Sequence, residues 1–128
     1  MDGKTIRERL QKDLDRLRSP AGYLRAGAPR YSTLFGRDAL ISGWQTLSID
    51  ASIAAATLRV LASYQGSRVN PKSEEEPGKI LHEHRFDAAS RAELPQWDFP
   101  YYGSVDSTLL FLIVASEYLR ETKDLRLV

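Results

Sequence analysis

The segment TLLFLIVASEYLRET, Thr108 to Thr122, constrains this chain more than any other. Leu109 to Ala115 is an unbroken apolar run, so as a helix its first half is apolar nearly all round. Such a helix needs neighbours on every side. It is too short to span a bilayer, which takes about 20 apolar residues. The pattern therefore predicts a fully buried helix, capped at its start by Asp106 or Ser107. One wholly buried helix demands a shell of others.

The rest of the chain offers three more. Ile6, Leu10, Leu14 and Leu17 share one face, which predicts an outer, amphipathic helix over Gly3 to Arg18, ended at Ser19-Pro20. SPAGYLRAGAPRYSTLFG is rich in glycine and proline and reads as an irregular or hairpin-like connection. A short helix follows over about Arg37 to Leu47. Asp50 is placed to cap ASIAAATLRVLASYQ, and Gly66 to stop it. On that helix Ile53, Ala56, Val60, Leu61 and Tyr64 form an apolar stripe, with Tyr64, like Phe111, assigned to the core.

Ser67 to Val105 then shows almost no periodicity. Connections longer than about 12–15 residues are usually functional or disordered. Trp97, Phe99, Tyr101 and Tyr102 argue against disorder here. The last residues, KDLRLV, read as the opening of another element. The expected fold class is all-α: about four helices in a single domain, residues 1–128, with a working face of loops at one set of helix ends.

Charge excludes some partners. Lys plus Arg number 18 against 17 Asp plus Glu, so there is no electrostatic case for nucleic acid or an anionic membrane. The absence of cysteine removes disulfides and thiolate metal sites and is compatible with a cytoplasmic location. The charged N-terminus lacks the apolar stretch of a secretory signal.

Chemistry concentrates in EEEPGKILHEHRF and FPYYGSVDSTLLF. Aromatic faces beside carboxylates and guanidinium groups are what a sugar site requires, since pyranose faces stack on rings and hydroxyls need charged hydrogen-bond partners. His82 and His84 are two positions apart, whereas helical zinc sites need a spacing of about four, so no metal is expected. Glu74 to Glu76 read as a solvated acidic turn.

AGAPRYSTLFGRDALISGWQTL, TLRVLASYQGSRVNPKSEEEPGKILHEHRF and PYYGSVDSTLLFLIVASEYLRETKDL together resemble bacterial glycogen-debranching, amylo-α-1,6-glucosidase-type proteins. These are relatives of the glucoamylase, trehalase and α-glucosidase families. The resemblance implies an (α/α)6 barrel with a sugar pocket at the inner helices' N-terminal ends. Here only the N-terminal portion of that barrel is expected, an incomplete toroid. Such enzymes usually invert the anomeric centre with two carboxyl groups about 6.5–9.5 Å apart. Arg30, Leu109 and the Asp87-Ala88-Ala89 that follows HEHRF depart from the family's usual residues.

By that resemblance Arg37 and Asp38 line the subsite for a terminal glucose, the alternative being a helix cap with its own ion pair. Glu83 and Arg85, with His82 a weaker candidate, would make polar contacts to the same sugar. Tyr102 could stack on it, and Asp106 could cap a helix or face the pocket. Trp97 and Tyr101 are assigned to packing. The family's general acid and base lie further along, so no catalytic residue is assigned and no cofactor is implied. The expected function is a partial glycoside hydrolase domain that takes an α-glucan or other glucoside and is inactive alone. Self-association, or completion by the missing barrel half, would cover its apolar surface. The alternatives are a non-catalytic carbohydrate-binding protein and a self-associating helical module with relic motifs.

Overall fold

Asp50 caps its helix as the sequence predicts. Its carboxylate accepts from the Ser52 backbone N–H at 3.0 Å and begins α3, Ala51–Ser63. The computed structural model describes residues 2–127. Besides α3 it contains α1, Gly3–Leu17, α2, Gly36–Gln45, a five-residue α4, Ala88–Ala92, and α5, Ser107–Thr122. Two short strands, β1 (Leu34–Phe35) and β2 (Glu83–His84), pair antiparallel, and a 3₁₀ turn covers Leu125–Leu127. Among the described residues no helix is long and apolar enough to cross a membrane.

The molecule is mainly helical, and α2, α3 and α5 pack on one another to form its core. Leu40 of α2, Leu58 and Leu61 of α3 and Val114 of α5 meet there, joined by Leu34 of β1 and by Leu81, and all six are wholly or almost wholly buried. Gly43 lets α2 and α3 approach closely, since a Cβ there would sit 3.3 Å from the Ala54 backbone. Ala54 of α3 is small enough to accept that approach. The buried face of α3 is broader than the expected stripe: Ala54, Ala55 and Thr57 are inside, while Val60 and Tyr64 are only half-buried.

Three expectations need correction. α5 is not fully buried, because Leu109 and Leu112 are 62% and 63% exposed and Ile113 lies open beside them. The run is apolar all round, but within this chain α2 and α3 cover only one side of it. Gly66 does not stop α3, which ends at Ser63 with Tyr64 as its cap residue. Its lack of a Cβ serves a close approach instead, because a Cβ would collide with the Glu76 carbonyl oxygen, and its N–H donates to the Lys79 carbonyl at 2.8 Å. The acidic turn is not fully solvated. Glu75 is buried, accepting from the Ser67 N–H at 3.0 Å and from Arg68 Nε at 3.2 Å, and these bonds, the Ser67 one foremost, hold its pKa below the usual carboxylate value.

α1 stands apart. None of its residues is buried. Arg18, just past its end, anchors it by donating to the Gly22 carbonyl, to Asp50 Oδ2 at 3.1 Å and to Ser52 Oγ at 2.8 Å. The connection after it is hairpin-like as expected, with Arg18 and Leu24 bridged antiparallel.

Candidate functional site

The loop from Ile80 to Arg85 runs across the N-terminal ends of α2 and α5. Gly36 N–H donates to the His82 carbonyl at 2.9 Å, and Ile80 N–H donates to Thr108 Oγ1 at 3.0 Å. The glycine of the FGRD motif is required by this crossing, because a Cβ on Gly36 would run into the Leu81 carbonyl oxygen. Leu81 is fully buried beneath the crossing, which leaves its neighbours His82 and Glu83 to be presented by a strand locked in place.

Arg37 and Asp38 occupy the first turn of α2, and neither caps it: Phe35 is the cap residue and makes no side-chain bond. Arg37 Nη1 instead reaches across to Asp106 Oδ2 at 3.2 Å, with Asp38 Oδ1 3.9 Å from its Nε. Asp106 is the cap residue of α5, as expected, but its side chain makes no capping bond. Ser104 Oγ supplies the side-chain acceptor instead, taking the Ser107 N–H at 3.1 Å, and also donates to Asp106 Oδ1 at 2.9 Å. That hydroxyl and then Arg37 lower the Asp106 pKa below its ordinary value. The three charged side chains thus join the ends of two helices whose N-terminal dipoles favour the carboxylates.

Arg37 and Asp38 line a cleft of about 550 Å³ with Ala26, Tyr31, Phe35, Ile41, Ser42 and His82. A second cleft of about 590 Å³ includes Arg30, Glu83, Arg85, Phe86, Leu94 and Trp97 in its lining. Tyr31, Phe35 and His82 belong to both. In the second cleft Glu83 is only 4% exposed and accepts from Arg85 Nε at 2.7 Å. Arg85 also donates through Nη1 to the Ser90 carbonyl at 2.6 Å and to Glu93 Oε2 at 2.8 Å, so it is fixed on three sides.

Tyr102 is a correction. It is 4% exposed, lies in the core, and donates its hydroxyl to the Tyr64 carbonyl at 2.5 Å, so it has no face to offer a ligand. Trp97, which the sequence assigned to packing, stacks on Tyr101 with ring centres 3.9 Å apart and also forms part of the second cleft's wall. An indole ahead of a cis Phe99-Pro100 bond gave no periodic signal by which sequence could locate it.

His82 and His84 diverge in use. His82 lies edge-on to Phe35 and Tyr101 between the two clefts. His84 lies among Tyr64 and Phe86, with ring centres 4.8 and 4.4 Å away. Its Nδ1 is buried without a partner, and burial, then nearby Arg91, pushes its pKa down to about 4. Among the described residues no group of His, Asp and Glu side chains is clustered as a metal would need.

Arg37, Asp38 and Asp106 therefore come together, Glu83 and Arg85 form a second group beyond the Tyr31–Phe35–His82 wall, and Tyr102 joins neither. Compared with known proteins, the chain matches no protein-family model and no curated protein.

Proposed function

We propose that this chain is the N-terminal portion of an (α/α)6 glycoside hydrolase barrel of amylo-α-1,6-glucosidase type, contributing part of a glucose pocket for a cytoplasmic α-glucan. The observation that carries the reading is the meeting of Arg37, Asp38 and Asp106 at the joined N-terminal ends of α2 and α5, on the rim of an aromatic-walled cleft. Asp38 is half-exposed and held by nothing stronger than the 3.9 Å approach of Arg37, so its oxygens are available to accept from sugar hydroxyls. Arg37 can donate to the same ring while Asp106 holds it in place.

The helix count fits a fraction of such a barrel, with α2 and α5 on the inner ring. The open apolar face of α5 is where further inner helices would pack. Catalysis is not assigned to this chain. Glu83 is tied to Arg85 at 2.7 Å.

Calorimetric titration with glucose, maltose and isomaltose tests the reading. Saturable binding is expected, and Asp38→Asn should weaken it by about 1–3 kcal/mol, the worth of a charged hydrogen bond. Binding that survives Asp38→Asn unchanged would remove the pocket from this position.

A further inference from the structure

Two helices of this chain keep an apolar face without cover. α1 carries Ile6, Leu10, Leu14 and Leu17 on one side, yet none of its residues is buried and Leu10 is 64% exposed. A helix of 15 residues is marginal in water unless such a face is packed. On α5 the exposed positions are Leu109, Leu112, Ile113, Ser116 and Arg120. They stand at i, i+3, i+4, i+7 and i+11, so they form one stripe, opposite the buried Val114 and Tyr118. The two helices match in length: 15 residues against 16, or about 22 and 24 Å.

The two faces suit one another. Leu109, Leu112, Ile113 and Ser116 are the four corners of a hole that takes one knob from a facing helix, and Leu10, midway along α1, is such a knob. With α1 antiparallel and Leu10 seated there, Leu14 falls beside Leu109 and the exposed Val105, and Ile6 falls beside Ser116 and the stem of Arg120. The charges then agree. One flank of the α1 stripe carries Lys4 and Arg7, and the corresponding flank of α5 carries Glu117 and Glu121. Antiparallel packing brings those flanks to the same side, with Arg7 near Glu117 and Lys4 near Glu121. A second α5 in that place would offer the two glutamates no cation, because Arg120 lies on the stripe itself.

We propose that the occupant of the α5 face is α1 of a second copy of this chain, docked antiparallel with Leu10 in the hole. The joint is heterologous, since each copy gives α1 from one edge and receives on α5 at the other. It does not depend on sugar binding. In the 128-residue chain it stands in for the further inner helices that the glycoside hydrolase reading places against α5. In the dilute monomer α1 keeps only its polar anchors, Arg18 and Arg25.

Sedimentation of the 128-residue chain and two variants tests the joint. The parent should associate as its concentration rises. Leu10→Glu spoils only the α1 edge and Leu112→Glu only the α5 edge, both at exposed positions. Each variant alone should remain monomeric at about tenfold the concentration that half-associates the parent. An equimolar mixture of the two should form a one-to-one dimer, because the intact α1 of one meets the intact α5 of the other. Should Leu10→Glu lose helix by circular dichroism, a charge exchange decides instead. Lys4→Glu should weaken association about fivefold, and adding Glu121→Lys should restore it. A Leu10→Glu variant that stays folded and associates like the parent would show α5 pairing with itself and overturn the proposal. A monomeric parent, a mixture that forms no dimer, or a charge exchange that restores nothing would overturn it as well.

Discussion

At the scale of single residues, His84 is the side chain most at odds with its surroundings. Its imidazole is held neutral by burial, with a pKa near 4 against an ordinary value of 6.5. The unfolded chain therefore binds the extra proton between those values and the folded chain does not. Stability from this residue is full above about pH 6.5 and is lost as the pH falls towards 4, by about 3 kcal/mol across the window. Urea midpoints measured on the parent and on His84→Phe should diverge: the variant should lose markedly less stability on acidification. Equal slopes would show that the ring is not buried as described. Of the two histidines in HEH, the sequence offered only His82, as a weaker candidate, to the polar site. Positions two apart on a regular strand share a side, so only the partners contributed by other elements set them apart: Phe35 and Tyr101 beside His82, Tyr64 and Phe86 beside His84.

At the scale of elements, the crossing of the 80–85 loop over α2 rests on one missing methyl group. Gly36→Ala should destabilise the chain by about 1–3 kcal/mol through overpacking against the Leu81 carbonyl. The same change should loosen any sugar site on both clefts, since the loop supplies His82 to each. Thermal melting beside titration reads both effects, and a variant with unaltered melting would refute the crossing. Local signals at this scale were legible: Asp50 before an alanine-rich run is a cap with a mechanism, and α1, α2, α3 and α5 lie within a few residues of their expected places. Gly66 and Glu75 were misread because their reasons are non-local. A glycine that admits a carbonyl from ten residues away looks like a helix stop until the loop's path is known. Tyr102 was misread for the same cause, while Trp97 packs on Tyr101 as expected. Which aromatic of a loop faces inward depends on the strand it crosses, here through the Glu83–Tyr101 bridge.

At the scale of the whole molecule, the unfinished side is α5. Val105, 95% exposed, precedes the exposed Leu109, Leu112 and Ile113 of α5. An apolar surface of this kind favours association. Sedimentation of the purified chain should show species larger than a monomer, and Leu112→Glu should shift the distribution towards the monomer without lowering the melting temperature. A monomeric parent chain would mean that the face is tolerated in water. The sequence legibly marked this helix as wanting neighbours all round, but it could not reveal that the chain's own helices cover only part of it.

The anchoring of α1 by Arg18 has its own consequence. A helix with no buried side chain, held by Arg18 on the Asp50 and Ser52 cap and by Arg25 on the Arg16 and Leu17 carbonyls, has little free energy linking it to the rest. Its backbone amides should exchange with deuterium through separate opening, fast and insensitive to mild denaturant, while those of α3 and α5 wait for global unfolding. Arg18→Ala should speed the first class alone, making the N-terminal arm a part that can let go without the body noticing.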